Sequence, residues 1–94
     1  MATLLKVDGS SVEVEPGGKL TIEWLQGLVE GYVELVRCDD GSAFACDEDG
    51  GPRGLPLNVP ATMLAAAKRV RGIGSVGLRG PVVFLSAADV RRLA

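Results

Sequence analysis

The residues best suited to chemistry lie in the second half of the chain. Lys68, Arg69, Arg71 and Arg79 surround the run Gly72-Ile73-Gly74-Ser75-Val76-Gly77. Glycines let backbone N–H groups approach an anion closely, and arginine adds planar, bidentate contacts to phosphate. Together these residues suggest a cradle for a small anionic, nucleotide-like ligand. The run also matches G-x-G-x-x-G, but the dinucleotide fingerprint needs a strand before it and a helix after it. Here a helix is predicted before the run and a strand around Ser75–Leu78, so a Rossmann site is rejected. The competing reading is an ordinary loop or hairpin with solvated cations.

Other chemistries are poorly supplied. The chain holds no histidine, which removes Ser-His-Asp and Cys-His catalysis and the commonest zinc ligand. Cys38 and Cys46 are the only cysteines and cannot close a structural zinc site alone. A two-residue turn at Asp40-Gly41 would set Cys38 opposite Ala43 and Cys46 opposite Leu35. A disulfide would then be awkward, and free thiols of a reducing cytoplasm are expected. Asp47, Glu48 and Asp49 are clustered acids without the spacing of an EF-hand, and a solvated loop is expected there. No cofactor and no catalytic residue is predicted.

Composition narrows the class further. Ninety-four residues with 47% hydrophobic content form one domain over residues 1–94 with a real core. The aromatics are Trp24, Tyr32, Phe44 and Phe84 alone, so aliphatic side chains must fill that core. Residues 1–52 carry three cations against eleven acids, a net −8, whereas 53–94 carry seven cations against Asp89 alone, a net +6. Such asymmetry fits a self-complementary assembly or an anion site in the second half, unless folding mixes the charges. Small size and 13 glycines favour a homo-oligomer. A pI near 5.0 and the scarcity of aromatics argue against binding long nucleic acid. No apolar run is long enough to span a membrane, and Met-Ala-Thr-Leu-Leu-Lys lacks a secretory leader, so a cytoplasmic protein is expected.

The elements that must position these residues follow from periodicity and turn chemistry. Thr3–Val7 and Ser11–Glu15 read as strands around an Asp8-Gly9 turn. Leu20, Trp24, Leu25, Leu28 and Val29 recur at helical spacing, with Thr21 as N-cap and Gly31 placed to end the helix. That spacing makes Trp24 a core residue rather than a stacking platform. Tyr32–Arg37 and Ser42–Cys46 form a hairpin around Asp39-Asp40-Gly41. Pro60 opens a helix through Ala61–Val70, capped by Asn58 or Val59. Val82–Leu85 is the last strand, and Ser86 with Asp89 forms a capping box for a short terminal helix. The predicted class is α+β, a small mostly antiparallel sheet with two to three helices.

Three segments carry a resemblance. Leu-Gln-Gly-Leu-Val-Glu-Gly-Tyr-Val-Glu-Leu-Val within residues 20–36 is similar to a helix-to-strand junction "LQxxVGGYIEVV". Asp-Glu-Asp-Gly followed by Gly-Leu-Pro-Leu-Asn, within residues 46–58, is similar to "NEEGKLxGLPPNR". Gly80 with the Val82–Leu85 run is similar to "IxGxxxIxG". In these the chain resembles the family catalogued as domain of unknown function 3846, small domains of phages and other bacterial mobile elements. Val59 stands where the family has arginine, and the glycine-rich 72–77 run is not part of the resemblance. The family implies a viral or mobile-element accessory protein rather than a metabolic enzyme.

The combined expectation is a non-catalytic accessory protein that sequesters a small anionic ligand, a cyclic nucleotide immune signal being the leading choice. Arg71, Arg79, Lys68 and Arg69 would meet phosphates. Gly72, Gly74 and Gly77 would admit backbone contacts, and Asn58 and Tyr32 would touch base or sugar. The alternative is an inhibitor or structural accessory whose acidic first half engages a host factor such as a defence protein.

Overall fold

The computed structural model describes residues 2–68, 70 and 77–93. Strands β1 (Ala2–Leu5) and β2 (Ser11–Val14) form the first hairpin, in register from Ala2↔Val14 to Leu5↔Ser11. The Asp8 carboxylate accepts the Ser10 amide at 2.8 Å, and Gly9 takes φ +94°, so the Asp-Gly pair turns the chain as its chemistry requires.

Helix α1 (Ile22–Val29) starts where Thr21 Oγ1 accepts the Trp24 amide at 3.1 Å. It does not stop at Gly31 as expected. Glu30 takes the left-handed conformation (φ +65°) and donates its amide to Gln26 O at 2.8 Å. Gly31 is required for space instead. A Cβ there would collide with the Asp47 carboxylate and sit 2.7 Å from Arg53 Nη1.

Strands β3 (Val33–Arg37) and β4 (Ala43–Asp47) pair with Val36 opposite Phe44 and Glu34 opposite Cys46. The hairpin loop has three residues rather than two. Asp40 accepts the Ser42 amide at 2.9 Å, and Gly41 takes φ +90° beyond it. The expected pairing of Cys46 with Leu35, and of Cys38 with Ala43, is therefore corrected by one residue. Since opposed residues share a face, the shift puts Glu34 rather than Leu35 beside Cys46. Both thiols are free and buried.

Helix α2 (Val59–Ala67) leads to β5 (Val82–Leu85), and the capping box of Ser86 and Asp89 opens α3 (Ala87–Arg92). The five strands form one antiparallel sheet in the order β2-β1-β5-β4-β3, an α+β fold with three helices. Strand alternation divides the core into two layers. Ala2, Ala45, Val83 and Leu85 pack under Leu25 and Val29 of α1, with Trp24 and the α3 residue Val90 beside them. Leu5, Phe44, Cys46 and Val82 face the other way, against Ala61 and Ala65 of α2 and Leu78. Among the described residues, no helix is long and apolar enough to cross a membrane.

Candidate functional site

The Gly-Leu-Pro-Leu-Asn segment is held against residues 78–80 by a short antiparallel ladder. Leu57 bridges Arg79, Gly80 donates its amide to Pro56 O at 2.9 Å, and Asn58 donates its amide to Leu78 O at 2.8 Å. The Asn58 side chain, fully buried, accepts the Ala61 amide at 3.1 Å as the N-cap of α2. Its Nδ2 donates to Leu5 O at 2.9 Å and to Gly80 O at 2.8 Å. One amide thereby joins β1, α2 and the approach to β5. The expected contact from Asn58 to a base or sugar is corrected: every proton of that amide already serves a buried carbonyl.

A second junction forms around Asp47. Its carboxylate is buried, pairs with Arg53 and accepts the Asp49 amide at 2.8 Å. Asp47 is thus not part of a solvated acidic loop, although Glu48 and Asp49 are exposed. The loop closes through Arg53 N–H to Asp49 O at 2.9 Å and Leu55 N–H to Gly50 O at 3.0 Å. Gly50 allows it to lie against Arg79, since a Cβ there would come within 3.2 Å of Arg79 Cβ.

Between these junctions lies a cleft of about 670 Å³. Glu34, Val36 and Cys46 come from the hairpin, Glu48 and the Gly50–Pro52 stretch from the loop, and Gly77, Leu78 and Arg79 from the ladder. Leu35 and Arg37 also border it from the edge strand. The hydrogen bond of Glu48 N–H to Tyr32 O at 3.0 Å adds one rung to the hairpin. Alternation then sets Tyr32, Glu34 and Val36 on the face that carries Cys46 and Glu48. Tyr32 is 71% exposed there. Arg79 Nη1 donates to Leu55 O at 3.0 Å, which anchors the guanidinium while leaving its other donors for a ligand. Burial pushes the Cys46 thiol up to about 12, and the carboxylates of Glu34 and Asp47 add to the effect. That thiol stays protonated at neutral pH and is no nucleophile. Among the described residues, no group of three or more cysteines, aspartates or glutamates is arranged to hold a metal ion.

The predicted ligand set is divided by this geometry. Gly77 and Arg79 line the cleft, and Tyr32 shares its sheet face. Lys68 lies elsewhere: its Nζ is 3.0 Å from Asp40 Oδ2 and 5.1 Å from the centroid of the Phe84 ring. Lys68 is thereby placed at the hairpin loop, and it is not among the residues that line the cleft. Arg69, Arg71, Gly72 and Gly74 lie outside the described residues. Sequence reasoning missed Glu34, Arg37, Glu48, Gly50 and Gly51. A three-residue loop at Asp39-Asp40-Gly41 was the signal that would have brought Glu34 and Glu48 to one face.

The fold and its cleft define a small α+β domain with an antiparallel sheet covered by helices on both faces. The chain belongs to the family described as Domain of unknown function (DUF3846), whose model matches residues 2–92. No curated protein and no solved structure matches it.

Proposed function

We propose that this chain is a non-catalytic accessory protein of a phage or mobile element, acting in the host cytoplasm. It captures a small anionic, nucleotide-like ligand in the cleft and thereby withdraws an immune signal such as a cyclic nucleotide. The single observation that carries the reading is the cleft itself. It is concave, and it contains Gly77 and Arg79 from the predicted set. Gly50, Gly51 and Gly77 also line its walls. The absence of histidine and the protonated Cys46 thiol favour capture over turnover.

Isothermal titration of folded protein against cyclic di- and trinucleotides and ADP-ribose derivatives tests the proposal. Heat with at least one of them is expected. Arg79→Ala should weaken that binding by about tenfold or more, the loss of a charged hydrogen bond, with circular dichroism verifying the variant's fold. No heat with any compound would end the reading.

A second reading is favoured by one observation, the carboxylates of Glu48 and Asp49 exposed in the acidic first half. It makes the chain an inhibitor or structural accessory of a host factor, a defence protein among them. That reading predicts co-purification with a host protein, lost on charge reversal at Glu48 and Asp49. Asp47 is excluded from that test because it is buried with Arg53.

A further inference from the structure

We infer that the cleft selects among nucleobases and prefers guanine, through the carboxylates of Glu34 and Glu48. The inference rests on the nucleotide reading of the same cleft and adds the class of base it takes. In the hairpin, Glu34 pairs with Cys46 and Tyr32 with Glu48. Glu34 and Glu48 are therefore diagonal neighbours on one face, a spacing of about 7–8 Å that two glutamate side chains can close. Among the described residues, neither carboxylate has a cation or hydrogen-bond donor as partner. Both line the cleft.

An ionised carboxylate only accepts hydrogen bonds. The Watson–Crick edge of guanine offers two adjacent donors, N1–H and the N2 amino group, which one carboxylate meets as a bidentate pair. Adenine presents N1 as an acceptor beside a single amino donor. Cytosine does the same with N3, and uracil flanks one donor with two carbonyl acceptors. Each of these edges sets a lone pair against one oxygen of a bidentate carboxylate, whereas guanine meets both oxygens with donors and keeps its O6 acceptor to the side. The Tyr32 ring, 71% exposed on the same face, supplies a surface on which a base can stack. Arg79, in the ladder wall, receives the phosphate end. The acceptors thus come from the hairpin and its loop and the guanidinium from the ladder, so the base and phosphate ends of a guanine nucleotide would meet different elements.

The test compares GMP with AMP, CMP and UMP, and cyclic di-GMP with cyclic di-AMP, by titration calorimetry on the full chain. Guanine compounds are expected to bind at least about tenfold more tightly, the discrimination of one bidentate base contact. Glu34→Gln, at an exposed position, should keep the fold and narrow the preference to within about threefold. Glu48→Gln should do the same in part. Equal affinity for guanine and adenine compounds would overturn this inference while leaving the proposed function standing. So would a preference unchanged in the Glu34→Gln Glu48→Gln double variant. Failure of every nucleotide to bind would overturn both.

Discussion

Asn58 is the residue on which the most separate elements depend. Replacing it with alanine removes the α2 cap and leaves Leu5 O and Gly80 O buried without their donor. A loss on the order of 3 kcal/mol is expected in urea unfolding, the sum of a lost cap and unsatisfied carbonyls. Asn58→Asp should do no better, since it keeps the cap acceptor but turns a carboxylate oxygen towards two carbonyl oxygens. Gly31 depends on space in the same way. Gly31→Ala should cost about 1–3 kcal/mol through overpacking against Asp47 and Arg53. In an Asp47→Ala background the same change should cost measurably less, and a double-mutant cycle reads the coupling. Additive effects would show that the crowding is relieved elsewhere.

At the scale of elements, α3 shows how a local motif sets a pH response. Ser86 Oγ accepts the Asp89 amide at 3.1 Å, and Asp89 Oδ2 accepts the Ser86 amide at 3.2 Å. Burial raises the Asp89 carboxyl most, but the hydrogen bonds from Ser86, together with its other polar partners, hold the group below its ordinary value of 3.8. A depressed carboxyl stabilises the fold above its unfolded pKa, and that contribution is lost as pH falls through the folded value. The difference in thermal midpoint between the native chain and Asp89→Asn should therefore be full at neutral pH and shrink below about pH 4. Ser86→Ala should cost about 1 kcal/mol at neutral pH. The β3–β4 hairpin makes the opposite point. Its local signal marked the turn correctly, yet the length of the loop depended on Asp40 binding Ser42 and on Gly41 turning left-handed.

At the scale of the whole molecule, α2 carries no charged residue, and its outer face leaves Val59 and Met63 in solvent. An apolar helix of that kind normally lies under another layer. A second copy of the chain is the proposed cover, on the strength of that exposed apolar face alone. The pairs Arg53–Asp47, Lys68–Asp40 and Arg92–Glu15 already join charges of the two halves within one chain. Sedimentation velocity should show a species larger than the monomer, and Met63→Asp should return it to one chain. A native protein that stays monomeric at high concentration would remove oligomerisation from the proposal.

The sequence by itself determined the α+β class, Val82–Leu85 to the residue, the Thr21 cap, the Ser86–Asp89 capping box and the family. Each follows from patterns within one element, where neighbours along the chain are also neighbours in space. Tertiary structure alone decided the rest. It moved Asn58 from the candidate ligand set into the core and engaged Lys68 with Asp40. It also turned Gly31 from a helix stop into a site of close approach, and brought Glu34 and Glu48 to one face. These depend on contacts between residues far apart in sequence, and on a strand register in which one residue reverses every side chain.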